Sequence, residues 1–223
     1  PSTNSWASSS GVMACRVEPS TLEDRVQLFE APARPRPVVL LAWTAMTTAM
    51  TAFPADGYTV RWQTWDGDGD ETVTLRWENE GWTALGEVTR ERVSYVIRLS
   101  ATWQVRQFLL FRDQDEPDLW LGTDGSGRWG EMNGAHRPDL DGCTDIDLHA
   151  TPFTNSIPIR RLQLDSGDAA EITVAMVDVD TLGVIPVQQR YEHLPTGEWR
   201  KVHVTTGAAL DFRVDSYGLV HDE

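Results

Sequence analysis

The sequence predicts a mainly β fold, a large curved antiparallel sheet folded round one short helix. Three observations carry that expectation. From Tyr58 onward the chain runs in short alternating stretches separated by turn chemistry, with no long helical period between them. One convincing helix start occurs, in residues 139–164 (DLDGCTDIDLHATPFTNSIPIRRLQL). A lone helix in a chain of 223 residues has only sheet to bury itself against, so the sheet must curve to receive it.

The elements follow in order. Residues 1–36 are rich in Ser, Pro, Ala and Arg without a sustained period and read as a disordered tail. The charge-free run 37–55 (PVVLLAWTAMTTAMTAFPA) follows Arg34 and Arg36, and its core at 37–53 has the layout of a signal segment. Its four Thr weaken that reading, and it is marginal as a stable membrane span in both length and hydrophobicity. Residues 1–55 are therefore expected to be an N-terminal extension, with a natural start at Met46 or Met50, and residues 56–223 the folded domain. The protein is read as cytoplasmic, or as exported if 37–53 acts as a signal.

Within the domain, YTVRWQTW, ETVTLRW and WTALGEV form a meander turned at DGDGD and NEG, and RVSYVIRLSATW and QVRQFLLF supply two adjacent strands. DLWLGTDGSGRWGEM is a hairpin with Asp124, Gly125 and Gly127 at its tip. A strand through Asp145, Asp147 and His149 then leads to a helix over about residues 155–164, in which Asn155 with Ser156 offers the cap and Pro158 falls in the first turn. ITVAMVDVD, GVIPVQQRYEHL, GEWRKVHVTT, LDFRVDS and YGLVHDE continue as strands, and a few further residues are expected beyond Glu223 to close the last one.

Composition narrows the function. The net charge is −15, and because residues 1–55 hold four Arg and four acids, all of it falls on 56–223. So acidic a domain repels phosphate backbones and anionic bilayers, which argues against nucleic acid and membrane surfaces as partners. Two cysteines, Cys15 and Cys143, make neither a disulfide framework nor a zinc site and suggest a reducing compartment. No metal or cofactor is expected. The acidic loop from Asp66 to Glu71 lacks the Gly and Glu of a calcium loop, and residues 139–147 fail likewise.

Asp145, Asp147 and His149 share one strand face and are the best catalytic or metal-ligating candidates, as a metal-assisted hydrolase would need. The competing expectation is structural, with the aspartates paired to Arg160 or Arg161. Cys143 reads as a small buried residue. Among the ten Trp, Trp62 and Trp65 are three apart on a strand and face opposite sides, so not all lie in one core and some are expected on a ligand-facing surface, where indole suits sugar rings and apolar walls suit acyl chains. The ligand-binding candidates are Trp62, Trp82, Trp103, Trp129, Arg160, Arg161 and Tyr191.

The run GCTDIDLHATPFTNSIPIRRL, with VRWQTWDGDGDETVTLRW upstream and VIPVQQRYEHL and DFRVDSYGLV downstream, closely resembles the putative glycolipid-binding family across residues 56–223. The resemblance implies a spiral β-roll, a long antiparallel sheet wound round a single helix, similar in shape to bacterial lipoprotein carriers. It implies non-enzymatic binding or carriage of a lipid or glycolipid in the interior of the sheet, and it assigns no catalytic residues. A surface interaction domain with a filled core is the other alternative to the enzyme, and the oligomeric state is left open.

Overall fold

The computed structural model describes residues 50–63, 69–112, 116–149 and 151–221. The tail, Cys15, Trp65 and residues 66–68 of the acidic loop lie outside the described residues. The described chain is mainly β, with one α-helix and a strongly curled sheet arrangement that forms a half-barrel.

Its first sheet is a plain meander of β1 (Tyr58–Gln63), β2 (Asp70–Glu78), β3 (Gly81–Val88), β4 (Val93–Ser100), β5 (Val105–Phe111), β6 (Leu119–Thr123) and β7 (Trp129–Glu131), each antiparallel to the next. The period-two pattern puts Glu71, Val73 and Leu75 of β2, and Val93, Tyr95, Ile97 and Leu99 of β4, on the buried face. Asn79 and Glu80, both at positive φ (52° and 61°), make the two-residue turn between β2 and β3. The glycine that follows them is needed for another reason, since a Cβ on Gly81 would lie 2.2 Å from the Leu99 carbonyl of β4.

The second sheet runs in the order β13 (Val220–His221), β12 (Ala209–Val214), β11 (Trp199–His203), β10 (Val184–His193), β9 (Ala169–Val177), β8 (Asp145–Leu148). It departs from the expected all-antiparallel arrangement at one place. β8 and β9 pair in parallel, and helix α1 (Phe153–Leu162) is part of the crossover between them. All four residues of β8 are buried, so the strand is covered on both faces and is not the half-exposed strand that its alternation suggests.

The helix differs from expectation at its start. It begins at Phe153, Pro152 occupies the N-cap without a side-chain bond, and Pro158 is its sixth residue and lies past the first turn. Asn155 caps nothing. Its side chain faces the second sheet and accepts from Tyr191 Oη at 3.1 Å and Lys201 Nζ at 2.9 Å. Residues 153–159 are all buried, so the helix is enclosed on every side and has no solvent face along that length.

The cap is supplied from outside. Glu71 of β2, fully buried, accepts from the Phe153 backbone N–H at 3.2 Å and from Tyr95 Oη at 2.5 Å. A carboxylate there satisfies an orphan donor and meets the positive end of the helix dipole. Tyr95 reaches it because Gly86 opposite has no side chain; a Cβ there would lie 2.1 Å from the ring. The two sheets are joined at the far side by Trp62 Nε1, which donates to the Val220 carbonyl at 2.5 Å, while the Val220 N–H donates to Ser156 Oγ at 3.0 Å.

Replacing Glu71 leaves two buried donors without their acceptor, each costing about 1–3 kcal/mol. Glu71→Ala should therefore lower unfolding free energy by about 2–6 kcal/mol, and Glu71→Gln by less because one acceptor oxygen survives. Urea denaturation measures both; an unchanged midpoint for the alanine variant would remove the external cap as the anchor of the helix.

Candidate functional site

At one end of the half-barrel the inner face of the first sheet is aromatic and incompletely covered. Trp77 and Trp82 sit opposite each other at the ends of β2 and β3, 5.1 Å apart and edge to face, with Trp77 47% exposed. Trp103 comes from the β4–β5 turn, where the chain adopts φ 65°, a left-handed conformation uncommon outside glycine, and its indole is buried. Tyr58 opens β1, and Tyr217 lies in the turn between β12 and β13.

Phe53 fills the centre of this group. Its ring is 5.3 Å from Tyr58, 5.3 Å from Trp82, 5.8 Å from Trp103 and 5.1 Å from Tyr217, the last nearly parallel. Sequence reasoning placed Phe53 in the extension, yet it belongs to the core, and Thr51 N–H donates to the Ser216 carbonyl beside it at 2.8 Å. The segment before Tyr58 is thus packed onto the domain from Met50.

Arg160, in the last turn of α1, faces the same group. Its guanidinium carbon lies 4.4 Å from the Phe53 ring centroid and 4.5 Å from that of Trp103. Nη1 donates to the Tyr217 carbonyl, but Nε is buried with no partner among the described residues. Burial pulls the guanidinium down to about 10, opposed by the charge of Asp215, so it is still a cation at neutral pH. Gly218, at φ 74°, makes the turn possible; a Cβ there would meet Met50 Sδ at 2.5 Å and Arg160 Cγ at 3.2 Å.

Of the residues singled out from sequence, Trp82, Trp103 and Arg160 are brought together here. Trp62, Trp129, Arg161 and Tyr191 lie elsewhere in the framework. Trp129 Nε1 donates to the Cys143 carbonyl at 2.9 Å, and Tyr191 belongs to the buried contacts of Asn155. Phe53, Tyr58 and Tyr217 were missed, and no spacing rule links the first two to an aromatic near the other end of the domain.

The Asp145, Asp147 and His149 face divides among different partners. Asp145, fully buried, takes Arg161 through Nη2 at 2.5 Å and Nε at 3.1 Å. Asp147 takes Lys201 Nζ at 2.8 Å, Gln189 Nε2 and Thr154 Oγ1, and His149 is exposed past the end of β8. Burial alone would push the Asp147 carboxyl up, but the Lys201 charge and these hydrogen bonds outweigh it and hold the group below the usual carboxylate range. Among the described residues no group of three or more His, Cys, Asp or Glu is placed to hold a metal ion. Cys143 is buried, and desolvation, with nearby Asp139, Asp141 and Asp145, pushes its thiol up to about 11.

A helix enclosed by curled sheets, with an aromatic opening at one end, defines a class of half-barrel β proteins. The chain belongs to the family described as putative glycolipid-binding, whose sequence model matches residues 59–223. It is similar to a solved structure of a DUF1089 family protein from Pseudomonas aeruginosa, at 26% identity and a TM-score of 0.55, over 78% of this chain and 92% of that one. No curated protein matches the chain. Among the described residues no helix is long and apolar enough to cross a membrane.

The folded Asp147 carboxyl titrates below its unfolded value of about 4, so its stabilisation is complete above that pH and is lost as pH falls through the lower folded value. Asp147→Asn should cost about 3–5 kcal/mol at neutral pH by leaving Lys201 without its carboxylate, and should flatten the acid loss of stability. Urea unfolding at pH 7 and below pH 4 reads both effects. In a Cys15→Ser chain, a thiol reagent at neutral pH should label Cys143 only after unfolding; rapid labelling of the native protein would contradict the buried, protonated thiol.

Proposed function

We propose that the protein binds an amphiphile of the glycolipid kind without chemical conversion, at the aromatic opening and, with Phe53 withdrawn, in the inner hollow behind it. The observation that carries this reading is the Phe53 site itself. Four aromatic rings and the Arg160 guanidinium grip an apolar side chain delivered by a segment outside the sheets. Such a set of contacts accepts an apolar group against indole and phenol faces, while Arg160, whose Nε has no partner among the described residues, offers a donor to the polar group attached to it.

The family description supports the ligand class. The interior is closely packed. Phe153, Trp129, Tyr95 and Phe108 are all essentially unexposed, so an acyl chain reaches the hollow only by taking the place of something already there. Trp82, Trp103 and Arg160 are the proposed contacts, and Trp62, Trp129, Arg161 and Tyr191 hold the frame. Cytoplasmic residence is in keeping with Cys143, a buried free thiol.

Octyl glucoside below its micellar concentration is a suitable probe. It should shift tryptophan emission and add its mass in native mass spectrometry. Trp82→Ala should weaken binding by about tenfold, equal to about 1.4 kcal/mol, and Phe53→Ala should strengthen it by vacating the site. No change in emission or mass for either the native chain or Phe53→Ala would overturn the proposal.

A further inference from the structure

A second site lies on the opposite, outer face of the first sheet, and it is basic in a protein of net charge −15. Arg98 projects outward from β4 between the buried Ile97 and Leu99. On β5 the pairing slips, since Arg98 opposes Gln107 while Leu99 opposes Val105, so Arg106 is an extra residue with no partner of its own. This bulge turns Arg106 and Gln107 to the same outer side, a common way for a sheet to re-aim a side chain. Arg128, exposed at the β6–β7 hairpin, lines the same groove of about 600 Å³.

The floor of the groove is bare. Gly122 of β6 and Gly130 of β7 face each other in register. A Cβ on Gly122 would lie 2.9 Å from the Trp120 ring, and one on Gly130 would lie 3.1 Å from the Ala135 carbonyl, so the indole lies against backbone and side chains are kept out. The two acids on the lining are engaged locally. Asp124 accepts from Ser126 N–H at 2.7 Å and Oγ at 2.8 Å and from the Arg128 N–H at 3.4 Å, with the Arg128 charge a smaller influence, and Glu131 accepts from Arg137 at 3.3 Å. His136 faces Asp141 at 2.9 Å. Arg106 donates to the Asp124 carbonyl and to Gln104, but neither Arg98, Arg106 nor Arg128 forms an ion pair with a carboxylate among the described residues.

We propose that this groove binds a sugar ring carrying a phosphate-type oxyanion, the oxyanion between Arg98, Arg106 and Arg128 and the ring along the glycine floor beside Trp120. The volume suits a small ligand, guanidinium groups match such oxyanions, and the indole edge gives a flat apolar wall. A soluble sugar phosphate and a phosphorylated lipid headgroup share this chemistry; the net negative charge of the domain favours the soluble source over an anionic bilayer. The site is independent of the aromatic opening.

Calorimetry with glucose 6-phosphate, with glucose, and with phosphatidylcholine vesicles containing phosphatidylinositol tests it. Glucose 6-phosphate should bind and glucose should bind at least about tenfold more weakly. Arg98→Gln and Arg128→Gln, whose guanidinium groups make no hydrogen bond among the described residues, should each lower affinity by about tenfold. Trp82→Ala at the aromatic opening should leave it unchanged. Absence of heat with glucose 6-phosphate, equal affinity for glucose, or binding to the vesicles alone would overturn the proposal, as would full affinity in the Arg98→Gln, Arg128→Gln double variant.

Discussion

The carboxylate of Glu71 is the interaction on which the architecture depends. A helix enclosed by protein cannot leave its first N–H groups to water, and Pro152 at the cap position provides no side-chain acceptor. The first sheet therefore reaches into the hollow with a charge, and Tyr95 Oη supplies a second donor to that carboxylate. Gly86 is part of the same device, since the phenol ring lies where a β-carbon would be. Burial and the neighbouring Glu71 charge both raise the Tyr95 hydroxyl well above its ordinary value, which keeps it a donor at neutral pH.

At the other side of the helix the same problem is solved with cations. Arg161 meets Asp145, and Lys201 meets both Asp147 and Asn155. These pairs lie between α1 and the second sheet, where an unpartnered charge would be costly, and they bind the parallel β8–β9 unit to the antiparallel strands beyond it. The pattern Asp-x-Asp-x-His has the outward form of an active site. Its two carboxylates are consumed by packing, and its imidazole lies in solvent.

Strand order and turns were legible because alternation and Gly, Asn and Asp punctuation are local properties. The single helix was legible too, although its start was displaced by two residues, because the polar groups near it, Asn155 and Ser156, serve other elements and a residue 82 positions earlier does the capping. The parallel pair was not legible, since a strand buried on both faces and carrying two aspartates reads as a half-exposed one. At the aromatic opening, Trp82, Trp103 and Arg160 announced themselves by residue type. Phe53 and Tyr217 did not, as nothing local marks a side chain whose neighbours are supplied by distant turns.

That opening draws on positions 53, 58, 82, 103, 160 and 217, whereas nearly every strand pair joins consecutive segments. Those pairings close short loops, whereas the contact between Trp62 and Val220 spans 158 residues and carries a larger loop-closure cost. The aromatic ring of contacts likewise joins the first strand to the last turn, through Tyr58 and Tyr217. Any occupant thus recognises the folded molecule, and by mass action it holds shut the seam where first and last strands meet.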